Sequence, residues 1–458
     1  MDTIVAISTA PGVGGIGIVR MSGKDCFSVL EKIFIPKKQE KIEQIKGYQI
    51  KYGKIMDTSS KRIIDEVLVS YFKEPKSYTT ENMCEISCHG GMIIIQEILQ
   101  QCINNGAVLA KPGEFTQRAF LNGRIDLSQA EAVIDMINAK TEKEAKVISR
   151  ELEGFLAKEI SEIKQDIMDI MVQVEVSIDY PEYDVEQVTY ESAREKLDQG
   201  ICQLRKLEKS FEEGRILKEG IQTAIIGRPN AGKSSLLNAI LNQERAIVTD
   251  IEGTTRDTIE ETIKIEGIPL VIVDTAGIRN TQDEVEKIGV LKAKTIAKQA
   301  DLILALFDAT KPLTKEDEEI LELIRDRNAI ILLNKTDMGK DILKNIPQIQ
   351  QSGKVVLEIS ALTKEGLEDL YAEISCLFQL DKIGTQEENV ITKIRHKELI
   401  AKALEQMQKA EQGLKSKVPI DVVAIDLKEA LEKLGEITGE NISETIVKEI
   451  FSKFCLGK

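Results

Sequence analysis

The sequence predicts an α/β unit inserted into a helical domain, behind an N-terminal region of short strands and turns. Between residues 216 and 381, apolar segments such as "IQTAIIG", "DLILALFDA" and "AIILLNKTD" alternate with helical stretches, which is typical of a parallel sheet. On both sides of this unit, at 119–215 and 382–458, apolar residues recur at helical spacing. Residues 1–118 instead show strand-like segments such as "DEVLVSYF", separated by glycine turns.

Length and composition fit about three soluble domains. The chain has 458 residues, of which 42% are apolar and 30% charged, and no apolar run approaches the length of a membrane span, so we expect no membrane partner. Seven cysteines without paired spacing favour a reducing compartment, and we expect a cytoplasmic protein. The net charge of −15 argues against a protein that coats nucleic acid by itself.

Two motifs of the N-terminal region resemble ligand-binding sites, but the residues around them do not favour such sites. "GVGGIG" contains G-x-G-x-x-G, but a strand-like segment, "IGIVRMSG", follows it, so we interpret it as a tight turn and not as a dinucleotide site. "CEISCH" could suggest zinc. Strand alternation would instead place Cys84 and Cys88 on one face and Glu85 and His89 on the other, which disfavours a shared metal.

A phosphate-binding loop opens the α/β unit. "GRPNAGKSS", which starts at Gly227, fits G-x-x-x-x-G-K-[ST] between a predicted strand and a predicted helix. Lys233 would reach the terminal phosphates, and Ser234 would offer its hydroxyl to magnesium. The predicted phosphate-binding residues are Asn230, Ala231, Gly232, Lys233, Ser234 and Ser235.

Four further motifs follow in the order expected of a GTPase. Thr255 of "GTTRD" would be a second magnesium ligand, and "DTAG" would approach the metal and the γ-phosphate. Asn334 and Asp337 of "NKTD" would pair with guanine, and "SAL" would close the base pocket. The nucleotide-binding residues predicted from these motifs are Thr249, Asp250, Ile251, Gly253, Thr254 and Thr255, then Asp274, Thr275, Ala276 and Gly277, then Asn334, Lys335, Thr336 and Asp337, and finally Ser360, Ala361 and Leu362. Together they predict a domain that binds and hydrolyses GTP with magnesium.

The motif series departs from the Ras-like pattern at one position. Ile278 stands where such enzymes carry the glutamine that orients water, so hydrolysis needs a different group and added positive charge. Asn230 could help hold a monovalent cation against the phosphates. Glu286 is an acidic candidate to orient water, although on sequence alone a solvated helix charge is the favoured interpretation.

The end of the sequence, "FSKFCLGK", places Cys455 near two aromatic residues. Phe451 and Phe454 are three residues apart, which indicates a segment packed against something else. Gly457 and Lys458 do not fit a prenylation signal. Upstream, seven basic residues lie between 393 and 417 against three glutamates, which suggests either a surface for tRNA or a partner, or simply a solvated helix face.

Taken together, these segments resemble the MnmE (TrmE) family of bacterial tRNA-modification GTPases over essentially the whole chain. The resemblance rests on "DTIVA", "GIGIVRMSG", "CHGG", "PGEFTQRAFLNGRIDLSQAEA", "GRPNAGKSSLLNA", "TDIEGTTRD", "DTAGIR" and "FCLGK". It implies an N-terminal α+β folate-binding and dimerisation domain at 1–118. It also implies an α/β P-loop G domain at 216–381, inserted into a discontinuous all-α helical domain at 119–215 and 382–458.

The resemblance also implies a reaction and its participants. Family members act as homodimers with a flavoprotein, MnmG, and add a carboxymethylaminomethyl-type group to carbon 5 of the wobble uridine of certain tRNAs. The implied one-carbon donor is a reduced folate, 5,10-methylene- or 5-formyl-tetrahydrofolate, and the implied ions are magnesium and potassium.

The residues implied for these ligands can be assigned motif by motif. The folate ligands would be Arg20, Glu85, Arg124 and Lys458, a set in which a carboxylate can pair with the pterin amino edge and cations with the folate carboxylates. The potassium site would comprise Asn230, Thr249, Ile251 and Thr254. Glu286 would be the catalytic carboxylate, and we place Cys455 as a thiol beside the one-carbon unit, able to act as a nucleophile or proton carrier.

Two other functions stay open at this point. The protein could be a GTPase switch in ribosome or RNA assembly, with an N-terminal domain that does no chemistry. It could also be a folate-dependent transferase that acts alone and uses GTP only for structure.

Overall fold

A computed structural model describes residues 2–38, 47–179, 186–242, 261–273, 297, 300–338, 349, 352–380, 390–454 and 457. The described chain divides into two compact units. One unit comprises residues 1–137, 150–201 and 399–458, and the other comprises residues 138–149 and 202–398.

The first unit contains a seven-stranded sheet in the order β3-β4-β5-β6-β2-β1-β7. All its strand pairs are antiparallel except β1 with β7. Helices α1 (Cys26–Ile33) and α2 (Met92–Asn104) pack on the sheet and bury an apolar core. The strands are β1 Ile4–Ile7, β2 Ile16–Ser22, β3 Phe34–Pro36, β4 Gln49–Met56, β5 Ile63–Phe72, β6 Met83–His89 and β7 Val108–Leu109.

Strand β6 follows the alternation predicted for "CEISCH". Cys84 and Cys88 are buried in the sheet core, whereas Glu85 is half-buried and His89 exposed on the opposite face. Burial raises the pKa of the Cys88 thiol to about 11, so this cysteine stays protonated at neutral pH. The prediction that a strand and not a helix follows the glycines of "GVGGIG" is also confirmed, because β2 starts at Ile16.

The remaining helices carry the predicted helical periodicity. Before the α/β region they are α3 Glu114–Leu121, α4 Leu127–Asn138, α5 Glu142–Leu152, α6 Phe155–Asp179 and α7 Glu186–Glu219. After it come α11 Ile394–Lys415, α12 Ile420–Thr438 and α13 Glu444–Ser452. Helix α12 packs against α6, and α13 packs against α3.

The second unit contains a six-stranded sheet in the order β13-β12-β11-β8-β10-β9. Its strands are parallel except β9, which runs antiparallel to β10. Apolar clusters lie on both faces of the sheet, as expected for a parallel sheet between helical layers. The strands are β8 Ile221–Ile226, β9 Glu261–Ile265, β10 Ile268–Ile272, β11 Leu302–Asp308, β12 Ala329–Asn334 and β13 Val355–Glu358, and the helices are α8 Lys233–Leu241, α9 Lys315–Ile324 and α10 Leu367–Phe378.

The fold class predicted from the sequence is confirmed: a parallel α/β unit interrupts the helical segments and follows an N-terminal α+β region. The boundaries at residues 118, 215 and 381 stay predictions. Across the described ranges, no helix combines the length and apolar character needed to cross a membrane.

Candidate functional site

The predicted phosphate-binding loop joins the end of β8 to the start of α8. Asn230 and Gly232 both adopt positive φ, 62° and 103°, so the loop turns tightly before α8. A Cβ atom at Gly227 would lie 2.5 Å from the Leu306 carbonyl oxygen, and one at Gly232 would lie 2.2 Å from Asn334 Nδ2. Both glycines of the motif are therefore required by close packing, and Gly232 is also required by its backbone angle.

Lys233 curls back over this loop. Its Nζ donates to the carbonyl oxygens of Gly227 and Arg228 at 2.7 and 3.0 Å. Burial lowers the pKa of the Lys233 ammonium, because the charged form loses hydration. A phosphate in the loop would compensate for that lost hydration, which is the role that the motif predicts.

Asn334 connects three of the predicted nucleotide motifs. It is 2% exposed at the end of β12. Its Nδ2 donates to the Ala231 carbonyl at 2.9 Å, and its Oδ1 accepts from the Ala361 N–H at 2.9 Å. One buried amide therefore fixes the phosphate-binding loop and the "SAL" loop to the same strand.

The predicted guanine pocket lies beside this junction. Asp337 is exposed, and its Oδ1 accepts from the Ser360 hydroxyl at 2.7 Å, which orients the carboxylate. Lys335 Nζ donates to the Asn230 carbonyl at 2.7 Å and to Asp308 Oδ2 at 2.8 Å. The structure thus brings "NKTD", "SAL" and the phosphate-binding loop together, although Ala231 and Asn334 are 103 residues apart in the chain.

Several predicted residues lie outside the described part of the chain. Of the predicted magnesium ligands, Ser234 at the start of α8 is described and Thr255 is not. Of the predicted potassium ligands, Asn230 is described. Outside the described residues lie Thr249, Asp250, Ile251, Gly253, Thr254, Asp274, Thr275, Ala276, Gly277, Ile278 and the catalytic candidate Glu286.

A second candidate site is a cavity of about 610 Å³ in the N-terminal region. Strands β2 and β6 contribute to its wall, together with the segment that precedes β6 and the turn after α3. Its lining includes the aromatic residues Tyr48, Phe72 and Tyr78 and the charged residues Arg20, Lys76, Glu85 and Arg124. The structure therefore brings three of the four predicted folate ligands into one cavity; Lys458 lies outside the described residues.

Arg20 and Glu85 face each other in the wall of this cavity. They are partners in the register of β2 and β6, so both side chains leave the sheet on the same face. Arg20 Nε and Nη2 donate to Glu85 Oε1 at 2.9 and 2.7 Å. Both donors bind Oε1, so the carboxylate keeps acceptor positions that a ligand amino group could use.

Tyr78 is an aromatic residue of the same lining, and its ring centre lies 5.9 Å from the Arg20 guanidinium. Its hydroxyl shares a hydrogen bond of 3.0 Å with the buried Thr116 hydroxyl. The Arg124 guanidinium lies 4.9 Å from the centre of the Tyr78 ring, and Arg124 Nη1 donates to the Tyr78 carbonyl at 3.3 Å. The ring therefore holds Arg124 in place while it forms part of the lining.

The segment after α13 reaches this cavity. Phe451 and Phe454 are buried in a cluster with Leu127 and Ala130 of α4, as the aromatic spacing predicted. Beyond them, the Gly457 carbonyl accepts from Arg20 Nη1 at 3.2 Å and from the Ser8 hydroxyl at 3.0 Å. Cys455 lies outside the described residues.

Family models match both parts of the chain. The model described as the MnmE helical domain matches residues 127–455, and the one described as the GTP-binding protein TrmE N-terminus matches residues 3–124. The curated protein "tRNA modification GTPase MnmE" of Acetivibrio thermocellus is 47% identical and aligns with 100% of this chain and 99% of its own length. The chain belongs to the MnmE family of tRNA modification GTPases. The MnmE protein of Clostridioides difficile is 48% identical with the same coverage.

Solved structures with some similarity include Era of Aquifex aeolicus bound to GDP and AlF4⁻. It is 29% identical and aligns with 41% of this chain and 67% of its own length, at a TM-score of 0.28, which is too low to carry a structural conclusion. The assignment to the MnmE family therefore rests on the full-length relatives and the two family models.

The cavity residues that sequence patterns missed in this MnmE-family chain include Tyr78 and Lys76. Tyr78 and Lys76 lie in "PKSYTTEN", a segment without a recognisable motif. The signal that could have found Tyr78 is an aromatic residue in a polar turn seven residues before Glu85. Its role depends on Thr116 and Arg124, which come from a different part of the chain.

Proposed function

We propose that this GTPase, together with the flavoprotein MnmG, adds a carboxymethylaminomethyl-type group to carbon 5 of the wobble uridine of certain tRNAs. A reduced folate bound in the N-terminal cavity supplies the one-carbon unit. The protein acts as a homodimer in the cytoplasm, and its GTP hydrolysis uses magnesium and is stimulated by potassium.

The observation that carries the folate part of the proposal is the Arg20–Glu85 pair inside an aromatic-lined cavity. A pterin is a flat ring with an amino edge, which suits a carboxylate with remaining acceptor positions. The glutamyl end of folate is anionic, which suits Arg124 at the exposed side of the same cavity. A volume of about 610 Å³ is in the range of small-molecule sites.

The GTP part of the proposal is supported by Lys233 within the phosphate-binding loop and by Asp337 beside Ser360. Ser234 would hold magnesium, with Thr255 as its partner. Asn230 would hold potassium, with Thr249, Ile251 and Thr254. Glu286 would orient the attacking water and Cys455 would act beside the one-carbon unit. These roles of Thr255, the loop residues, Glu286 and Cys455 stay predictions.

Calorimetric titration with 5-formyl-tetrahydrofolate tests the folate site. Wild type should bind, and Glu85→Ala should bind on the order of a hundredfold more weakly, because a buried charged hydrogen bond is lost. Glu66→Ala is the matched control, since Glu66 lies on the neighbouring strand β5 and is exposed outside the cavity lining. Equal affinity in all three proteins would refute the folate site and favour a GTPase switch without its own modification chemistry.

Reconstitution with MnmG, tRNA and reduced folate tests whether the modification requires both the flavoprotein and GTP hydrolysis. Modified uridine should form only with the flavoprotein and with hydrolysable GTP. Product formed without the flavoprotein, or with a non-hydrolysable GTP analogue, would instead indicate a transferase that acts alone.

A further inference from the structure

The exposed side of the N-terminal cavity carries two cationic side chains. Lys76 lies in the segment before β6, and Arg124 lies in the turn between α3 and α4; both line the cavity and both are exposed. Among the residues that the structure describes, neither forms an ion pair with a carboxylate. In a chain of net charge −15, such a pair does not reflect the general charge of the surface.

Two carboxylates near the cavity already have hydrogen-bond partners. Glu85 accepts from Arg20. Glu81 accepts from Arg118 Nη1 at 3.1 Å and from the Ser22 hydroxyl at 2.8 Å, both at the buried side of its segment. The charged lining of the cavity therefore consists of three cations and one carboxylate.

The charged residues of the lining differ in exposure. The Arg20–Glu85 pair is largely buried, with side-chain exposures of 17% and 22%, and its charges balance. Arg124, which lies over the Tyr78 ring, and Lys76 are both exposed. A ligand with a neutral polar head and an anionic tail would match this difference, with its head at the buried pair and its tail at the exposed cations.

We propose that Lys76 and Arg124 form a subsite for the oligo-γ-glutamyl tail of folate, and that the protein prefers polyglutamylated over monoglutamylated reduced folate. This proposal rests on the folate function proposed above and specifies the form of the ligand. Each added γ-linked glutamate carries one free α-carboxylate, so a longer tail brings more negative charge to the two cations. Lys76 is the residue that determines the preference, because Arg124 already serves the first glutamate.

Electrostatic attraction determines how strongly the protein prefers the longer tail and how that preference depends on salt. Exposed charge pairs contribute little individually, so a triglutamate should bind roughly fivefold more tightly than a monoglutamate at low ionic strength. Because both cations are exposed, salt should screen the attraction, and the preference should shrink in several hundred millimolar salt.

The test compares dissociation constants of 5-formyl-tetrahydrofolate with one and with three glutamates, measured by calorimetry on the full-length protein. The ratio of the two constants within each variant is the readout, so that a general change in folate affinity cancels. Wild type should give a ratio of roughly five, and Lys76→Gln should reduce it to roughly one or two. Lys73→Gln is the matched control, because Lys73 is exposed three residues earlier and outside the described lining; it should keep the wild-type ratio.

The possible outcomes separate this proposal from the folate function. Monoglutamate binding that depends on Glu85, together with a wild-type ratio near one, would overturn the tail subsite and leave the folate function standing. The subsite would also be overturned if Lys76→Gln and Lys73→Gln gave the same ratio. Failure of wild type to bind the monoglutamate would instead overturn the folate function, and with it the subsite.

Discussion

Tyr78 is a residue whose importance comes from its surroundings and not from any motif. Its hydroxyl is tied to Thr116, while its ring and carbonyl both engage Arg124. The arginine could be assigned from the family resemblance, because "LNGR" is a recognisable segment. Nothing in "KSYTTEN" indicated that a ring from this segment would hold that arginine in place.

We predict that Tyr78→Leu weakens binding of reduced folate roughly tenfold, because both the cation–π contact and an aromatic wall are lost. Tyr78→Phe keeps the ring and should change affinity by no more than about twofold. It should still lower the melting temperature, since the buried Thr116 hydroxyl loses its partner. Titration calorimetry and thermal unfolding measure the two effects; equal folate affinity in Tyr78→Leu and wild type would remove Tyr78 from the site.

Asp337 offers a second test at the scale of one residue. The Ser360 hydroxyl orients its carboxylate, which would accept from the N–H groups of guanine. We predict that Asp337→Asn lowers affinity for GTP on the order of a hundredfold and allows xanthosine triphosphate to bind. Asp369→Asn, an exposed aspartate in the first turn of α10, is the control. Unchanged preference for GTP in Asp337→Asn would place the guanine pocket elsewhere.

At the scale of elements, Gly457, beyond α13, accepts hydrogen bonds from Ser8 and from Arg20, which lines the N-terminal cavity. Gly457 has φ of 90°, and a Cβ atom there would lie 2.1 Å from the Ile7 carbonyl oxygen. A substituted residue 457 must therefore move away from β1, and its carbonyl would leave Arg20 and Ser8.

We predict that Gly457→Ala weakens folate binding severalfold, since Arg20 loses a hydrogen-bond acceptor. Gly353→Ala is a control for the backbone penalty alone, because Gly353 also has positive φ, 66°, but a Cβ atom there would meet no atom within 4 Å. Folate affinity should stay at the wild-type value in Gly353→Ala. If both variants bound folate equally well, the segment would have no role in the cavity.

Helix α11 shows where an element was only partly predictable. Its helical periodicity could be predicted from the sequence, but the contacts that its lysines form could not. Lys409 pairs with Glu405 at 2.8 Å, one helical turn away. Lys415 pairs with Glu411 in the same way, and Lys397 lies over the Phe211 ring and pairs with Glu212. These contacts favour a solvated helix face over a tRNA surface for at least part of this segment.

At the scale of the whole molecule, prediction succeeded where the signal is local in sequence. The strand, loop and helix around Lys233 follow from eight consecutive residues, and the parallel sheet follows from repeated apolar strands. The Arg20–Glu85 pair could be assigned only by resemblance, because it depends on the register between β2 and β6. Lys76 could not be assigned, since its role requires the cavity itself.

Potassium dependence is a prediction for the intact GTPase. We expect faster hydrolysis in potassium than in sodium, because a cation that acts as a charge clamp should be selected by size. Asn230→Gly should abolish the difference; glycine accepts the φ of 62° at this position, so only the side chain is removed. Asn238→Ala, exposed on α8, should respond to potassium as wild type does. Equal rates of GTP hydrolysis in the two salts would contradict the prediction.

The central claim is that the folate cavity and the nucleotide site serve one reaction on tRNA. The most direct test is mass spectrometry of tRNA nucleosides from a strain that lacks this protein and is complemented with variants. Wild type and Glu66→Ala should restore the modified wobble uridine, whereas Glu85→Ala, Lys233→Ala and Cys455→Ser should each fail to restore it. Wild-type levels of the modified uridine in the Glu85→Ala strain would contradict the claim.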